Sequence, residues 1–250
     1  MSQIEVTNRK GHCLAASYES QGNPDRLIIL VPGLGGNFDE PHLKAAREVF
    51  LKAGFAVLSF DPYNTGKSGG RYEDITVSGY LSDLEDVLAW ARGQLWFKEP
   101  FYLTGHSLGG ITVGVYAESN PDRVAGLILL SSVISGKLSC ESEFYRNNME
   151  AWQKTGWLID DIGERLPWSH MRDRLKYDLA SVAGRLVMPV LQIVGSDDEH
   201  CPFKDQSVLF QAIPGTKKRL MVVPQAEHCF EGKLSQYEKI LSEGISVLFP

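Results

Sequence analysis

FYLTGHSLGGITVGVYAES, residues 101–119, is the stretch on which the reading of this chain turns. It opens on FYLT, suited to a buried strand, and closes on ITVGVYAES, which can start a helix. Between them stands Gly105-His106-Ser107-Leu108-Gly109. A serine at a sharp strand-to-helix turn is held in a strained conformation that lifts its hydroxyl above the sheet. Glycines at the flanking positions remove Cβ atoms that would collide where strand and helix cross. Ser107 is therefore the candidate nucleophile.

A second match to G-x-S-x-G, Gly66-Lys67-Ser68-Gly69-Gly70, lacks that setting. Gly-rich, polar residues follow it instead of a helix, which describes a loop. Its Gly-Lys-Ser would belong to a phosphate-binding loop only with glycine where Asp61 stands. Gly33-Leu34-Gly35 follows a strand, but Phe38 occupies the position where a dinucleotide fingerprint needs glycine. Both nucleotide readings fail on residue identity.

Outward from Ser107, short β-branched runs alternate with helical patterns. Strands are expected at Leu27–Val31, Ala56–Phe60, Phe101–Thr104, Gly126–Leu130, Pro189–Val194 and Arg219–Val223. Helical spacing joins Leu43, Ala46, Phe50 and Ala53, then Leu81, Leu84, Leu88, Ala91 and Leu95. A last amphipathic helix carries Leu234, Tyr237, Leu241, Ile245 and Leu248. Residues 5–20 suit an antiparallel hairpin. The expected fold class is α/β: a mostly parallel central sheet, helices on both faces, one domain over residues 1–250. Residues 136–185 carry no strand signal and are far too long for a plain connection. They are expected to form a small, mainly helical cap over the C-terminal edge of the sheet, where such sheets hold ligands.

A serine hydroxyl needs a base to take its proton, and the base needs a third group to orient it. Where the serine sits on such a turn, acid and then histidine follow it along the chain. Of the six histidines, His12 and His42 precede Ser107, His106 adjoins it, and His170 lies in the insertion. His200 sits beside the expected acid, which leaves His228 in QAEHCF as the base. After the strand MPVLQIVG come Asp197 and Asp198. Asp198 is favoured, since Gly195, Asp198 and Pro202 then give G-x-x-D-x-x-x-P, and Asp197 remains the alternative. The oxyanion donors are expected to be the backbone N–H groups of Leu108 and of Leu34, within Pro32-Gly33-Leu34-Gly35-Gly36.

Taken together, these segments resemble the α/β-hydrolase superfamily, and more closely its serine esterase/lipase and serine aminopeptidase-like branch. Feruloyl (cinnamoyl) esterases and monoglyceride-lipase-like enzymes are the nearest types. Besides Gly105–Gly110, the resemblance rests on VPGLGGNFDEPH, FDPYNTGKSGGRYEDITVSGYLSDLEDV, VGSDDEHCP and AEHCFEG. It runs from about residue 27 to the C-terminus and weakens in the insertion. Two positions depart from the family pattern. Pro32-Gly33 stands where His-Gly is usual, and Asn64 replaces a glycine. A serine nucleophile also sets the chain apart from the dehalogenases and epoxide hydrolases, which use aspartate. The resemblance implies cleavage of carboxylic esters through an acyl-enzyme. Thioesterase, aminopeptidase and acyltransferase chemistry use the same triad, and a ligand-binding receptor of this fold is the non-enzymatic alternative.

Composition narrows the partners. A net charge of −6 leaves no excess of Lys and Arg to neutralise a nucleic acid or an anionic membrane. No run approaches the roughly 18 apolar residues of a membrane span, and the N-terminus lacks a leader-like apolar stretch. A cytoplasmic location is therefore expected. Cys13, Cys140, Cys201 and Cys229 are widely spaced, so neither a disulfide framework nor a metal site is expected, and no cofactor. Nothing in the sequence marks an oligomeric contact. The expected substrate is a small-molecule ester of a short-to-medium or aromatic acid. Phe144, Tyr145, Trp152, Trp157 and Trp168 either line its pocket or pack the insertion onto the core.

Overall fold

A computed structural model describes residues 2–160 and 162–249. The first half runs β1 (Ser2–Thr7), β2 (Cys13–Glu19), β3 (Arg26–Val31), α1 (Pro41–Lys52), β4 (Phe55–Phe60) and α2 (Val77–Ala91). It continues through β5 (Phe101–His106), α3 (Leu108–Ser119) and β6 (Val124–Leu130). Next come α4 (Gly136–Glu141), α5 (Glu143–Thr155), β7 (Trp157–Ile159), β8 (Arg165–Pro167), α6 (Trp168–Arg174) and α7 (Leu179–Val182). The chain ends with β9 (Val190–Gly195), α8 (Phe203–Ala212), β10 (Lys218–Val223) and α9 (Leu234–Leu248).

The main sheet has the order β1-β2-β4-β3-β5-β6-β9-β10. The expected hairpin is β1–β2, which joins antiparallel to β4; every pairing from β4 to β10 is parallel. Alternation along RLIILV sorts the two faces. Leu27, Ile29 and Val31 pack with Leu84 and Leu88 of α2 and Ile111 of α3. Ile28 and Leu30 pack with Leu43 and Phe50 of α1 and with Tyr237, Leu241 and Ile245 of α9. Side chains that alternate along each central strand thus bury both faces of the sheet.

Two local expectations change. α2 ends at Ala91, and Leu95 is 104% exposed instead of continuing the apolar stripe. Past the C-cap residue Arg92 the chain leaves the helix through tighter turns, with the Gly93 N–H on Trp90 O and the Gln94 N–H on Ala91 O. The insertion, expected to be mainly helical and without strand signal, also contains an antiparallel pair, β7–β8. Three residues per strand are too few for alternation to register in a sequence.

β3 lies between β4 and β5, so the chain crosses to one side of β3 and returns on the other. That is a topological switch point, and it opens a crevice at the C-terminal ends of β3 and β5. The loop 32–36 and the turn at Ser107 meet there. The meeting is close: a Cβ on Gly105 would overlap the Gly109 carbonyl, and one on Gly109 would overlap the carbonyls of Val31 and Pro32. The backbones of β3, β5 and α3 touch without side chains between them.

This contact predicts that Gly105→Ala and Gly109→Ala each lose about 3 kcal/mol or more of stability, through overpacking against backbone that has nowhere to move. Gly184→Ala, where an added Cβ meets nothing within 4 Å, is the control and should stay within about 0.5 kcal/mol of the parent. Urea unfolding midpoints measure both, and equal shifts at the three positions would refute the account.

Candidate active site

Ser107 occupies the step between β5 and α3 with φ 51° and ψ −115°. This left-handed conformation is strained for a residue with a Cβ. It is held because the Ser107 N–H donates to Leu130 O at 3.1 Å, while the Ser107 carbonyl accepts from Gly110 and Val133, both at 3.0 Å. Neighbouring β6 therefore clamps the turn from both sides. The side chain faces a cavity of about 210 Å³, also lined by Leu34, Tyr145, Arg174 and His228. A larger groove of about 600 Å³ beside α9 holds none of the candidate residues.

His228 lies in the loop after β10, and its Nδ1 is 3.0 Å from both carboxylate oxygens of Asp198. A carboxylate oxygen only accepts, so Nδ1 carries a proton, and in the neutral ring the lone pair is on Nε2. Asp198 is buried, and its Oδ1 also accepts from the N–H groups of His200 (3.0 Å) and Cys201 (2.9 Å). Burial alone would raise the Asp198 carboxyl. The hydrogen bond and charge of His228, with the Cys201 N–H, outweigh it and hold the carboxyl below its usual range. Asp197, by contrast, is exposed and accepts from Ser196 Oγ at 2.7 Å. Of the two aspartates, Asp198 is the one that faces His228.

The loop after β3 is braced from below. Tyr80 Oη donates to Gly33 O at 2.7 Å, and Thr65 Oγ1 donates to Gly36 O. Asp61 accepts from the N–H groups of Phe38 (2.8 Å) and Lys67 (2.9 Å), so the Gly66-Lys67-Ser68 segment wraps a buried carboxyl. Burial pushes that carboxyl up to about 6. Among the described residues, neither the Leu34 N–H nor the Leu108 N–H is spent on a hydrogen bond elsewhere. Leu108 is the first residue of α3, where unpaired N–H groups and the helix dipole favour negative charge.

His106 has a role that the sequence left unassigned. Its Nε2 donates to the carbonyl of His228 at 3.1 Å, which ties the Ser107 turn to the histidine loop. Burial drives His106 well below the usual histidine range, so it stays neutral. Its ring also packs on His42, at 4.3 Å between centroids, and on His228, at 4.6 Å. Burial, with the nearby His228, lowers His42 to about 3. His42, His106 and Cys229 bring potential ligand atoms within 4.8 Å of one another, the single such grouping among the described residues. Three donors are one short of a closed tetrahedral zinc site, and the close ring packing accounts for the cluster by itself. No sequence spacing links residues 42, 106 and 228, which is why the cluster was invisible there.

The aromatic residues of the insertion divide. Tyr145 lines the cavity. Trp152 is fully buried and donates from Nε1 to Leu166 O at 2.9 Å, with Trp168 packed edge-on against it. Trp157 is 40% exposed beneath the guanidinium of Arg165. Most of these rings build the insertion instead of the pocket.

Residues 26–153 match the family model described as alpha/beta hydrolase fold. The chain belongs to that family. This alpha/beta hydrolase is 24% identical over 214 residues to the thermostable monoacylglycerol lipase of Bacillus sp. (strain H-257), covering 80% of this chain and 82% of the lipase. It is 32% identical over 113 residues to the abhydrolase domain-containing protein lid-1 of Caenorhabditis elegans, but the match spans only 30% of that protein's length. Among solved structures, ferulic acid-bound Est1E from Butyrivibrio proteoclasticus superposes with a TM-score of 0.84 at 24% identity, covering 97% of this chain and 98% of Est1E. No helix among the described residues is long and apolar enough to cross a membrane.

The Asp198–His228 pair predicts a signature in acid. Because the folded-state carboxyl ionises more readily than the unfolded one, the pair stabilises the protein above about pH 3.8. That contribution is lost as the pH falls further, through the lowered folded-state value. Asp198→Asn should be less stable than the parent at pH 7, with the gap narrowing by up to about 1.4 kcal/mol per pH unit below pH 4. Denaturant melts from pH 7 to pH 2 measure it, and parallel curves for the two proteins would contradict the assignment.

Proposed function

We propose that this alpha/beta hydrolase cleaves carboxylic esters through an acyl-enzyme on Ser107, with His228 as base and Asp198 as its orienting acid. The observation that carries the reading is the His228–Asp198 hydrogen bond at the wall of the cavity that Ser107 faces. In this reading Asp198 fixes the tautomer that leaves Nε2 basic. Ser107 Oγ attacks the ester carbonyl while its proton passes to Nε2, and the Asp198 carboxylate stabilises the imidazolium that forms. The oxyanion is met by the N–H groups of Leu34 and Leu108, both left without another hydrogen-bond acceptor among the described residues. Imidazolium then protonates the departing alcohol, and water, activated by the same Nε2, releases the acid.

The cavity is smaller than the roughly 300–1,000 Å³ typical of drug-sized ligands, which favours a short or aromatic acyl group over a long chain. The monoacylglycerol lipase and the ferulic acid complex among the similar proteins are consistent with esters of carboxylic acids. Residues 136–185 serve, on this reading, as a cap within one hydrolase domain, contributing Tyr145, Asp160, Ile162 and Arg174 to the wall.

Hydrolysis of p-nitrophenyl esters from acetate to palmitate, with a feruloyl ester, tests the proposal on parent and Ser107→Ala protein. The parent should favour short or aromatic members, and the variant should fall by about a million-fold, the loss measured when a serine protease triad loses its nucleophile. A parent inert toward every ester would sink the ester reading and move the search to thioesters and aminoacyl amides.

A further inference from the structure

Arg174, the last residue of α6, is 3% exposed and yet lines the cavity that Ser107 faces. Its backbone is fixed: the Arg174 carbonyl accepts from Tyr177 N at 3.0 Å and packs so tightly on Gly136 that no Cβ would fit there. Its side chain is held by uncharged groups. Nη2 donates to His170 Nε2 at 2.6 Å, and the guanidinium carbon sits 5.3 Å from the Tyr145 ring centroid. His170 Nδ1 lies 2.9 Å from the Ile75 carbonyl, which can only accept, so Nδ1 holds the proton and Nε2 receives the Arg174 bond. Burial and then the charge of Arg174 lower His170 to about 3, so His170 is neutral.

A guanidinium out of water is costly unless it meets a counter-charge. Among the described residues, no carboxylate lies within ion-pair distance of Arg174. Its neighbour Asp173 is taken up by Ser78 and Lys176. On the cavity wall, Asp160 accepts from Tyr72 Oη and from the N–H groups of Ile162 and Glu164. Glu40 is raised by burial, and Asp198 belongs to His228. Arg174 Nε meanwhile has no hydrogen-bond partner among the described residues. A fixed, buried cation with an unused donor, on the wall of the cavity that holds the nucleophile, is an anion-binding group awaiting its anion.

We propose that Arg174 anchors an anion subsite and that the substrate is an ester carrying a second, ionised carboxylate. The carboxylate pairs with the guanidinium while the ester carbonyl lies at Ser107. This deepens the serine hydrolase reading, on which the turnover part of the test depends. Arg174 is a specificity residue: planar guanidinium and carboxylate match in shape, and a neutral ester of equal length leaves the cation unpaired.

Two matched series test it. One places the charge on the acyl half: p-nitrophenyl hemisuccinate, hemiglutarate and hemiadipate against the neutral butyrate, valerate and hexanoate. The other places it on the alcohol half: 3- and 4-acetoxybenzoate against phenyl acetate. At the best length, kcat/KM for the charged ester should exceed its neutral match by about a hundredfold. In Arg174→Met the ratio should collapse to about one, and Arg174→Lys should retain part of it. A merely structural arginine would lower both members of a pair together and leave the ratio in place. Preference in either series supports the subsite and tells which half of the ester carries the charge.

Calorimetric titration of Ser107→Ala protein with succinate, glutarate and adipate reads the subsite without turnover. Binding that disappears in Ser107→Ala/Arg174→Met supports it even if no ester is cleaved, in which case the hydrolase reading alone fails. Neutral esters cleaved as well as charged ones by the parent, with no dicarboxylate bound, would overturn the subsite and leave the hydrolase reading standing. A preference that survives in Arg174→Met would overturn it as well. Should Arg174→Met fail to fold by circular dichroism, Arg174→Gln replaces it in both experiments with the same criteria.

Discussion

Everything at the cavity depends on how closely β3, β5 and α3 approach one another around Ser107. The turn has no room for side chains: Gly105 meets Gly109, and Gly109 meets the carbonyls of Val31 and Pro32. Because the backbones touch, the loop after β3 is brought to the serine, and the first N–H of α3 stays open beside it. The strained φ of 51° at Ser107 is maintained by hydrogen bonds to Leu130 and Val133, at either end of the β6 exit. Local strain in a residue with a Cβ persists when the surroundings over-determine it, and here three strands and a helix do so.

From that junction a chain of neutral, buried groups leads to the second half of the machinery. His106, the residue before Ser107, is buried and donates from its ring to the carbonyl of His228. The Ser107 turn and the histidine loop are thereby coupled by one hydrogen bond between residues 122 positions apart. Charge is confined to where it can be used. His42, His106 and His170 are all pushed toward the neutral form by burial, while Asp198 is held ionised by His228 and two backbone N–H groups. A low-dielectric surround makes each remaining charge more effective.

The insertion contributes a buried cation, Arg174, that has no ionic partner among the described residues. Its interior is built on Trp152, Leu166 and Met171, with Trp168 and Tyr145 packed around them, so most of its aromatic surface stabilises the insertion itself. Tyr145 and Arg174 are the side chains through which this packing reaches the cavity, together with the β7–β8 connection at Asp160 and Ile162. A neutral histidine acceptor and an aromatic face keep the guanidinium in place without cancelling its charge.

The sequence by itself determined the α/β order, the strand–turn–helix around Ser107, and the loops that carry Asp198 and His228. Those features are local: alternation, helical spacing and glycine placement act over a few residues, so a linear reading can recover them. It also pointed to Leu34 and Leu108 through the glycines and the helix start beside them. It favoured Asp198 over Asp197 on spacing alone and left Asp197 open, because adjacent residues differ only in the direction their side chains leave the loop, and that direction depends on the packing of β9 against the histidine loop. Nor did it register the β7–β8 pair, whose strands are too short to alternate, or the end of α2 before Leu95. His106 to His228, Tyr80 to Gly33 and His170 to Ile75 are products of tertiary structure alone. Each joins groups whose partnership depends on burial and on a meeting across the fold, and neither distance nor dielectric is written in the order of residues.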